Sequence, residues 1–259
     1  PPSPDPLWSR GLGDVYKRQS LDADTRSTVK APHPFLTDIN VRKALSMAID
    51  RPLLVEIGYG KAGDVTCDLV PAPDNYAAKN DYCVKQDSAG ANALLESAGW
   101  KKGADGIRAK DGVRISILYQ TSTNAVRQDF QALIKEWWAQ IGGETELRNL
   151  NASVFFGGDP NSPDTFQKFY ADVEMYANTF DGTDPQAYLS AYRCGNEPKP
   201  ESQWQGANIN RYCDPKYDAL LDKLSATGDL KKRGEIGICL LYTSPSPRDQ
   251  RGSGGAGGC

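Results

Sequence analysis

Apolar positions recur along this chain at helical and strand spacings in turn. The clearest run lies at 125–141, where Val126, Phe130, Leu133, Ile134, Trp137 and Ile141 fall at i, i+4, i+7, i+8, i+11 and i+15. An α-helix collects such positions into one stripe. Trp138 lies off the stripe and reads as a rim contact to a second element. Gly142 and Gly143 stop the helix, and 144–150 follows as a strand with Thr145, Leu147 and Asn149 on one face. An earlier helix is predicted over 37–50, with Asp38 as its cap and Val41, Ala44, Leu45, Ala48 and Ile49 on its apolar face. Pro52 suits the first turn of a second, shorter helix that ends near Gly58 or Gly60.

The pattern weakens over 61–87, where Pro71, Pro73, Asn75 and Asn80 mark loops. Asp87 or Ser88 caps a helix through Ala98, which Gly99 stops. A hairpin is expected next. Ile107–Ala109 leads through Lys110-Asp111-Gly112 into a period-two run over Arg114 to Tyr119. A polar loop spans 157–165. The aromatic-rich stretch 166–180 fits helix then strand without separating the two. Thr183 or Asp184 caps a helix through Tyr192, with Pro185 in its first turn. A last helix starts at Asp214-Pro215 and carries Tyr217, Leu220, Leu221 and Leu224. Alternating helices and strands predict an α/β fold with a mixed sheet and packed helices.

The two ends carry no such pattern, and composition alone suggests a Pro-rich leader and a Gly/Ser-rich linker. Ser9 to Gln19 reads SRGLGDVYKRQ, and Cys239 to Asp249 reads CLLYTSPSPRD. These two peptides resemble one stretch of sequencing-adapter DNA, translated directly at one end and from its complement at the other. Residues 1–19 and 239–259 are therefore expected to be tails foreign to the protein, leaving 20–238 as the stretch that folds. Setting them aside removes Arg10, Lys17, Arg18, Arg248 and Arg251 against Asp5, Asp14 and Asp249. A chain of net charge −3 becomes more acidic still. Without a Lys/Arg block, nucleic acid and anionic membrane are poor partners. No apolar run reaches the roughly 18 residues of a membrane span.

The six cysteines reduce to Cys67, Cys83, Cys194 and Cys213. None forms a C-x-x-C pair, and the gaps do not match a zinc site. Local disulfides Cys67–Cys83 and Cys194–Cys213 are expected, because both intervals are rich in Pro, Gly, Asn and charge. Four cysteines allow three connectivities, and four reduced thiols are the alternative. Disulfides imply an oxidising, extracytoplasmic compartment. The only histidine, His33, sits between Pro32 and Pro34. No G-x-S-x-G nucleophile motif accompanies it, no P-loop is present, and no metal-ligand cluster appears. Binding is expected, with no catalytic residue, metal or cofactor.

Six segments in order carry a family resemblance. They are PFLTDINVRKALSMAIDRPLLVEIGYGKAG (Pro34 to Gly63), ALLESAGW (Ala93 to Trp100), RQDFQALIKEWWAQIGGETEL (Arg127 to Leu147), DGTDPQAYLSAYRC (Asp181 to Cys194), NINRYCDPKYDALLDKL (Asn208 to Leu224) and KKRGEI (Lys231 to Ile236). Together they resemble the C-terminal half of the family-5 extracytoplasmic solute-binding proteins, the receptors of ABC importers for dipeptides, oligopeptides and nickel. The resemblance implies a periplasmic-binding-protein-like lobe that is incomplete, monomeric, outside the cytoplasm, and brought to the membrane through a permease. It implies a peptide ligand, with nickel, heme or an opine as alternatives. In the D-x-x-D-P segment it puts Asp181 on a ligand α-ammonium. The oligopeptide receptors carry tryptophan three residues earlier, where this chain has Asn178. Tyr176 and Trp204 are the aromatic candidates for the pocket, with core packing as their alternative role. A half-receptor is expected to bind peptide poorly and to expose apolar surface. A secreted hydrolase on a similar lobe is the alternative of a different class.

Overall fold

A computed structural model describes residues 33–178 and 182–243. Helix α1 (Ile39–Met47) starts where Asp38 accepts the Asn40 amide, and it buries Val41, Ala44 and Leu45. Asp38 also takes the Trp100 indole N–H at 3.0 Å. That bond ties the start of α1 to the end of α3 (Ser88–Ser97), which Asp87 caps. Between them, α2 (Arg51–Gly58) is capped by Asp50 with Pro52 in its first turn.

The hairpin forms as a three-stranded antiparallel meander of β1 (Lys101–Lys102), β2 (Arg108–Lys110) and β3 (Val113–Arg114). Its turn needs left-handed backbone at Asp111 (φ 51°) and Gly112 (φ 80°), the conformation that favours an Asp-Gly pair. Buried Arg108 bolts the meander down, donating to the Ile141 carbonyl, Glu96 and Asn92.

The period-two run does not continue from the hairpin as one strand. After Ile115 the chain enters β4 (Ser116–Ser122), the centre of a separate sheet ordered β5-β4-β6. All its pairings are parallel, to β5 (Glu144–Leu150) and to β6 (Val173–Met175). Parallel and antiparallel pairing are thus divided between two sheets. Ile117 to Ser122 are buried without alternation, because both faces of a central parallel strand are covered.

Helix α4 (Ala125–Gln140) connects β4 to β5 and buries Phe130, Ile134 and Trp137 along the predicted stripe. Trp138 is no rim residue. It is 4% exposed, donates to the Leu45 carbonyl at 2.9 Å and lies 5.3 Å from the Tyr119 ring. It joins α1 to β4 inside the first core, which also holds Phe35, Leu95 and Ile115.

No helix forms over 166–175. Turns lead into the three-residue β6, preceded by the short α5 (Ala152–Phe155). Helix α6 (Gln186–Ser190) is shorter than predicted. A second core gathers Leu189, Tyr76 and Val70 with α7 (Pro215–Ser225) and α8 (Leu230–Thr243). Position 238 falls inside α8, and Leu240 and Leu241 beyond it are buried in this core. Helix α8 approaches the 75–76 segment closely, and Gly234 and Gly237 make room. A Cβ would stand 2.4 Å from the Asn75 carbonyl oxygen at the first, and 2.6 Å from the Tyr76 ring at the second. Both local disulfides are present, Cys67–Cys83 and Cys194–Cys213.

Candidate functional site

Parallel strands β4, β5 and β6 end along one edge, and ligands of open α/β sheets bind outside such carboxyl ends. Beyond β6 the chain runs through Tyr176 to Asn178. Tyr176 is half-buried and Asn178 is exposed. The Tyr176 ring packs 5.3 Å from Phe166 and 6.5 Å from Phe156. Burial pushes its phenol up to about 12, with smaller effects from Glu174 and Tyr188. Phe156, just past α5, stays 45% exposed, and Val154 beside it is also exposed. Aromatic surface therefore faces solvent at this edge. Asp181 lies outside the described residues, and the chain resumes at Gly182.

A charged row lies behind the rings on one face of the sheet. Register aligns Arg148, Gln120 and Glu174 across the three strands. Arg148 donates to the side-chain oxygen of Gln120, and Gln120 donates to Glu174 at 2.9 Å. Arg148 also pairs with Asp164 at 2.6 Å. The second Glu174 oxygen is buried with no hydrogen-bond partner. Burial raises this carboxyl well above the usual carboxylate range, against the pull of Arg211, the Gln120 bond and Arg148. Arg211 is itself buried, lowered to about 10 by desolvation, and donates to the Gln167 and Lys168 carbonyls.

Trp204 is 8% exposed, and the Lys168 ammonium sits 5.1 Å from the centre of its ring. Tyr176 and Asn178 follow β6 at the sheet edge. No sequence signal marks the row of Arg148, Gln120, Glu174 and Arg211, because its members meet only through strand register and a distant loop.

Asp184 is the other fixed point of this region. Its Oδ1 accepts the Gln186 amide at the start of α6, whose N-cap is Pro185, and its Oδ2 accepts the Tyr76 hydroxyl at 3.0 Å. Arg233 of α8 reaches the same Oδ2 at 2.6 Å. The bonds from Gln186, Arg233 and Tyr76 outweigh burial and lower the carboxyl.

His33 approaches Asp172 at 2.8 Å. Its Nδ1 accepts the Phe35 and Leu36 amides, which assigns the proton to Nε2. Both ring nitrogens are thus engaged, and neither is placed to activate a hydroxyl nucleophile. Glycines 58, 60 and 63 have the spacing of a dinucleotide-binding loop. They close α2 instead of following a strand, so they are no phosphate cradle. A shallow groove of about 170 Å³ lies between α2 and Asp64–Thr66, with Leu54, Val55, Tyr59 and Phe130 in its wall. Among the described residues no three His, Cys, Asp or Glu side chains gather as a metal site.

The profile of the bacterial extracellular solute-binding proteins, family 5 Middle, matches residues 15–199. Protein XP55 of Streptomyces lividans is 39% identical over 116 residues, covering 44% of this chain and 21% of that protein. The periplasmic murein peptide-binding protein MppA of Escherichia coli (strain K12) is 26% identical over 215 residues, covering 80% of this chain and 34% of that protein. The chain thus spans about a fifth to a third of the length of these relatives. The oligopeptide-binding protein from Thermus thermophilus, solved with a pentapeptide, superposes with a TM-score of 0.67 at 23% identity, covering 89% of this chain and 37% of that one. That likeness concerns the fold.

Proposed function

This chain belongs to the family 5 bacterial extracellular solute-binding proteins, and on that premise we propose that it is part of the substrate-binding component of an ABC importer for peptides. The receptor takes up its ligand outside the cytoplasm and delivers it to a membrane permease. It acts as a monomer, meets the membrane only through that transporter, and performs no chemistry on its cargo. The two disulfides support an oxidising compartment.

The observation that carries the reading is the aromatic edge at the carboxyl ends of the parallel strands. Phe156 and Tyr176 offer apolar and stacking surface there, and Asn178 offers an amide. Asp181, three residues further on, supplies the carboxylate for a ligand α-ammonium. Such a charge-assisted bond contributes on the order of 1.5–3 kcal/mol. Peptide is favoured over other solutes because MppA is named for a murein peptide and the Thermus protein was solved with a pentapeptide. Closure over the ligand needs a second lobe, so this chain alone binds weakly.

Weak binding is accessible to amide-resolved NMR titration. Trialanine should produce saturable shifts at Tyr176, Asn178 and Asp181, and its N-acetyl form smaller ones. Shifts scattered over the surface, or none at the solubility limit, would overturn the reading. Nickel, heme and an opine serve as parallel ligands. Shifts at the same residues with one of these and not with peptide would assign that ligand instead.

A further inference from the structure

The register of the parallel sheet carries through to its carboxyl edge. Thr121 is the last residue of β4 paired with β6; it lies opposite Met175, and its hydroxyl holds the Met175 carbonyl. One residue further on each strand come Ser122 and Tyr176. Adjacent strands run about 4.8 Å apart, so Tyr176 leaves the sheet beside Ser122. Side chains alternate along a strand, which puts both on the face that carries Gln120 and Glu174.

Ser122 is buried, yet its hydroxyl meets a charge. Arg127, in the first turn of α4, donates to Ser122 Oγ at 2.7 Å. The Arg127 amide is held by the Asn124 cap of the same turn, so the residue is fixed at its backbone and at its guanidinium. Arg127 is half-buried. Among the described arginines it alone bonds neither a carboxylate nor a backbone carbonyl. The others do one or the other, as Arg148 does with Asp164 and Arg211 with Gln167. A single bond to a neutral hydroxyl leaves most of the guanidinium fork open.

That fork matches a carboxylate through two parallel hydrogen bonds. Glu174 and Asp164, the acids of the row behind it, are engaged with Gln120 and Arg148. The apolar surface of the same edge comes from Tyr176 and Phe156. A cation beside aromatic surface suits a carboxylate borne on an uncharged body, which is what one end of a peptide offers.

We propose that Arg127, held by Ser122, binds a carboxylate of the ligand at the carboxyl edge of β4. The proposal rests on the peptide reading given above and adds to it a second charged contact. The α-carboxylate and an acidic side chain are two sources of the same chemistry.

The test compares trialanine, trialanine amide and the C-terminal amide of Ala-Glu-Ala, by amide-resolved NMR titration of the full chain in wild type, Arg127→Gln and Arg127→Lys. Wild type should favour trialanine over its amide by about fivefold, as for a partly exposed ion pair. The Arg127 Nε–H resonance should shift with the acid and not with the amide. Arg127→Gln should bring the ratio close to one. Arg127→Lys keeps the charge without the planar fork; it should retain about a twofold preference, and it decides the matter if the glutamine variant does not fold. The ratio carries the test, because general loosening of the fold weakens all three peptides alike. A preference for the Ala-Glu-Ala amide over trialanine amide that Arg127→Gln removes would support the proposal with an acidic side chain as the source. A wild type that binds all three alike, or a preference unchanged in both variants, would overturn the proposal and leave the peptide reading in place. No saturable binding of any of the three would remove the peptide reading, and the proposal with it.

Discussion

His33 donates from Nε2 to Asp172 Oδ1 at 2.8 Å, and the other Asp172 oxygen takes the Leu118 amide at 2.6 Å. The only histidine of the chain thus staples the segment before α1 to the central strand. His33→Ala should cost about 1.5–3 kcal/mol in urea unfolding, the range for a hydrogen bond to a charged group. Asp172→Ala should cost more, because it strands a buried backbone amide as well. If the protein hydrolysed a substrate and His33→Ala abolished that turnover, the receptor reading would give way to the secreted hydrolase.

Helix α8 and the 75–76 segment meet without space for a methyl group. Gly234→Ala and Gly237→Ala should each destabilise by about 1–3 kcal/mol through overpacking. Gly228 has nothing within 4 Å of a built Cβ and no left-handed backbone. Gly228→Ala should therefore leave thermal unfolding nearly unchanged or raise the midpoint slightly.

Glu174 gives a distinctive pH dependence. Burial raises its carboxyl above the ordinary 4.5, so the folded protein holds a proton that the unfolded chain releases. Stability from this group is fully present below about pH 4.5 and is lost as pH rises through the folded value. Glu174→Gln should flatten that fall when urea midpoints are followed from about pH 4.5 to pH 8. An equally steep fall in the variant would place the responsible proton elsewhere.

The two disulfides close loops of similar length, with sequence separations of 16 and 19. Removing either as a Cys→Ser pair should cost about 3 kcal/mol by chain entropy. Loss of Cys67–Cys83 should also loosen Tyr76, which lies inside that loop and bonds Asp184. Loss of Cys194–Cys213 should lower the melting temperature and leave the Tyr76–Asp184 bond in place.

Residues with one dry face were legible from the sequence. Phe130, Ile134 and Trp137 point to one side of α4, and Asp38 and Asp87 cap helices where local spacing placed them, whereas the Asp50 cap of α2 was not read from the sequence. Strand β4 was harder to read. Leu118 and Gln120 face one covered side and Ile117 and Tyr119 the other, so burial erased the alternation that would have separated β4 from the hairpin. Trp138 was misplaced because its second partner, Leu45, comes from α1. The stretch before β6 shows no regular period, because Lys168 and Asp172 are buried there among aromatics. Of the site, Tyr176 and Asn178 were named through the family resemblance, and the structure sets them at the strand edge. Glu174 and Arg211 had no sequence signal, since charged residues in a strand and a loop ordinarily read as solvated.

The two hydrophobic cores share no residue. Val173 and Met175 of β6 pack on the first, and Asp184 is tied through Tyr76 to the second. The first core and the second are therefore separate reservoirs of stability, each with its own contacts to lose. Whatever holds both cores in place at once makes the opening of either cost the other something, and that coupling is felt as cooperativity far from the point of perturbation.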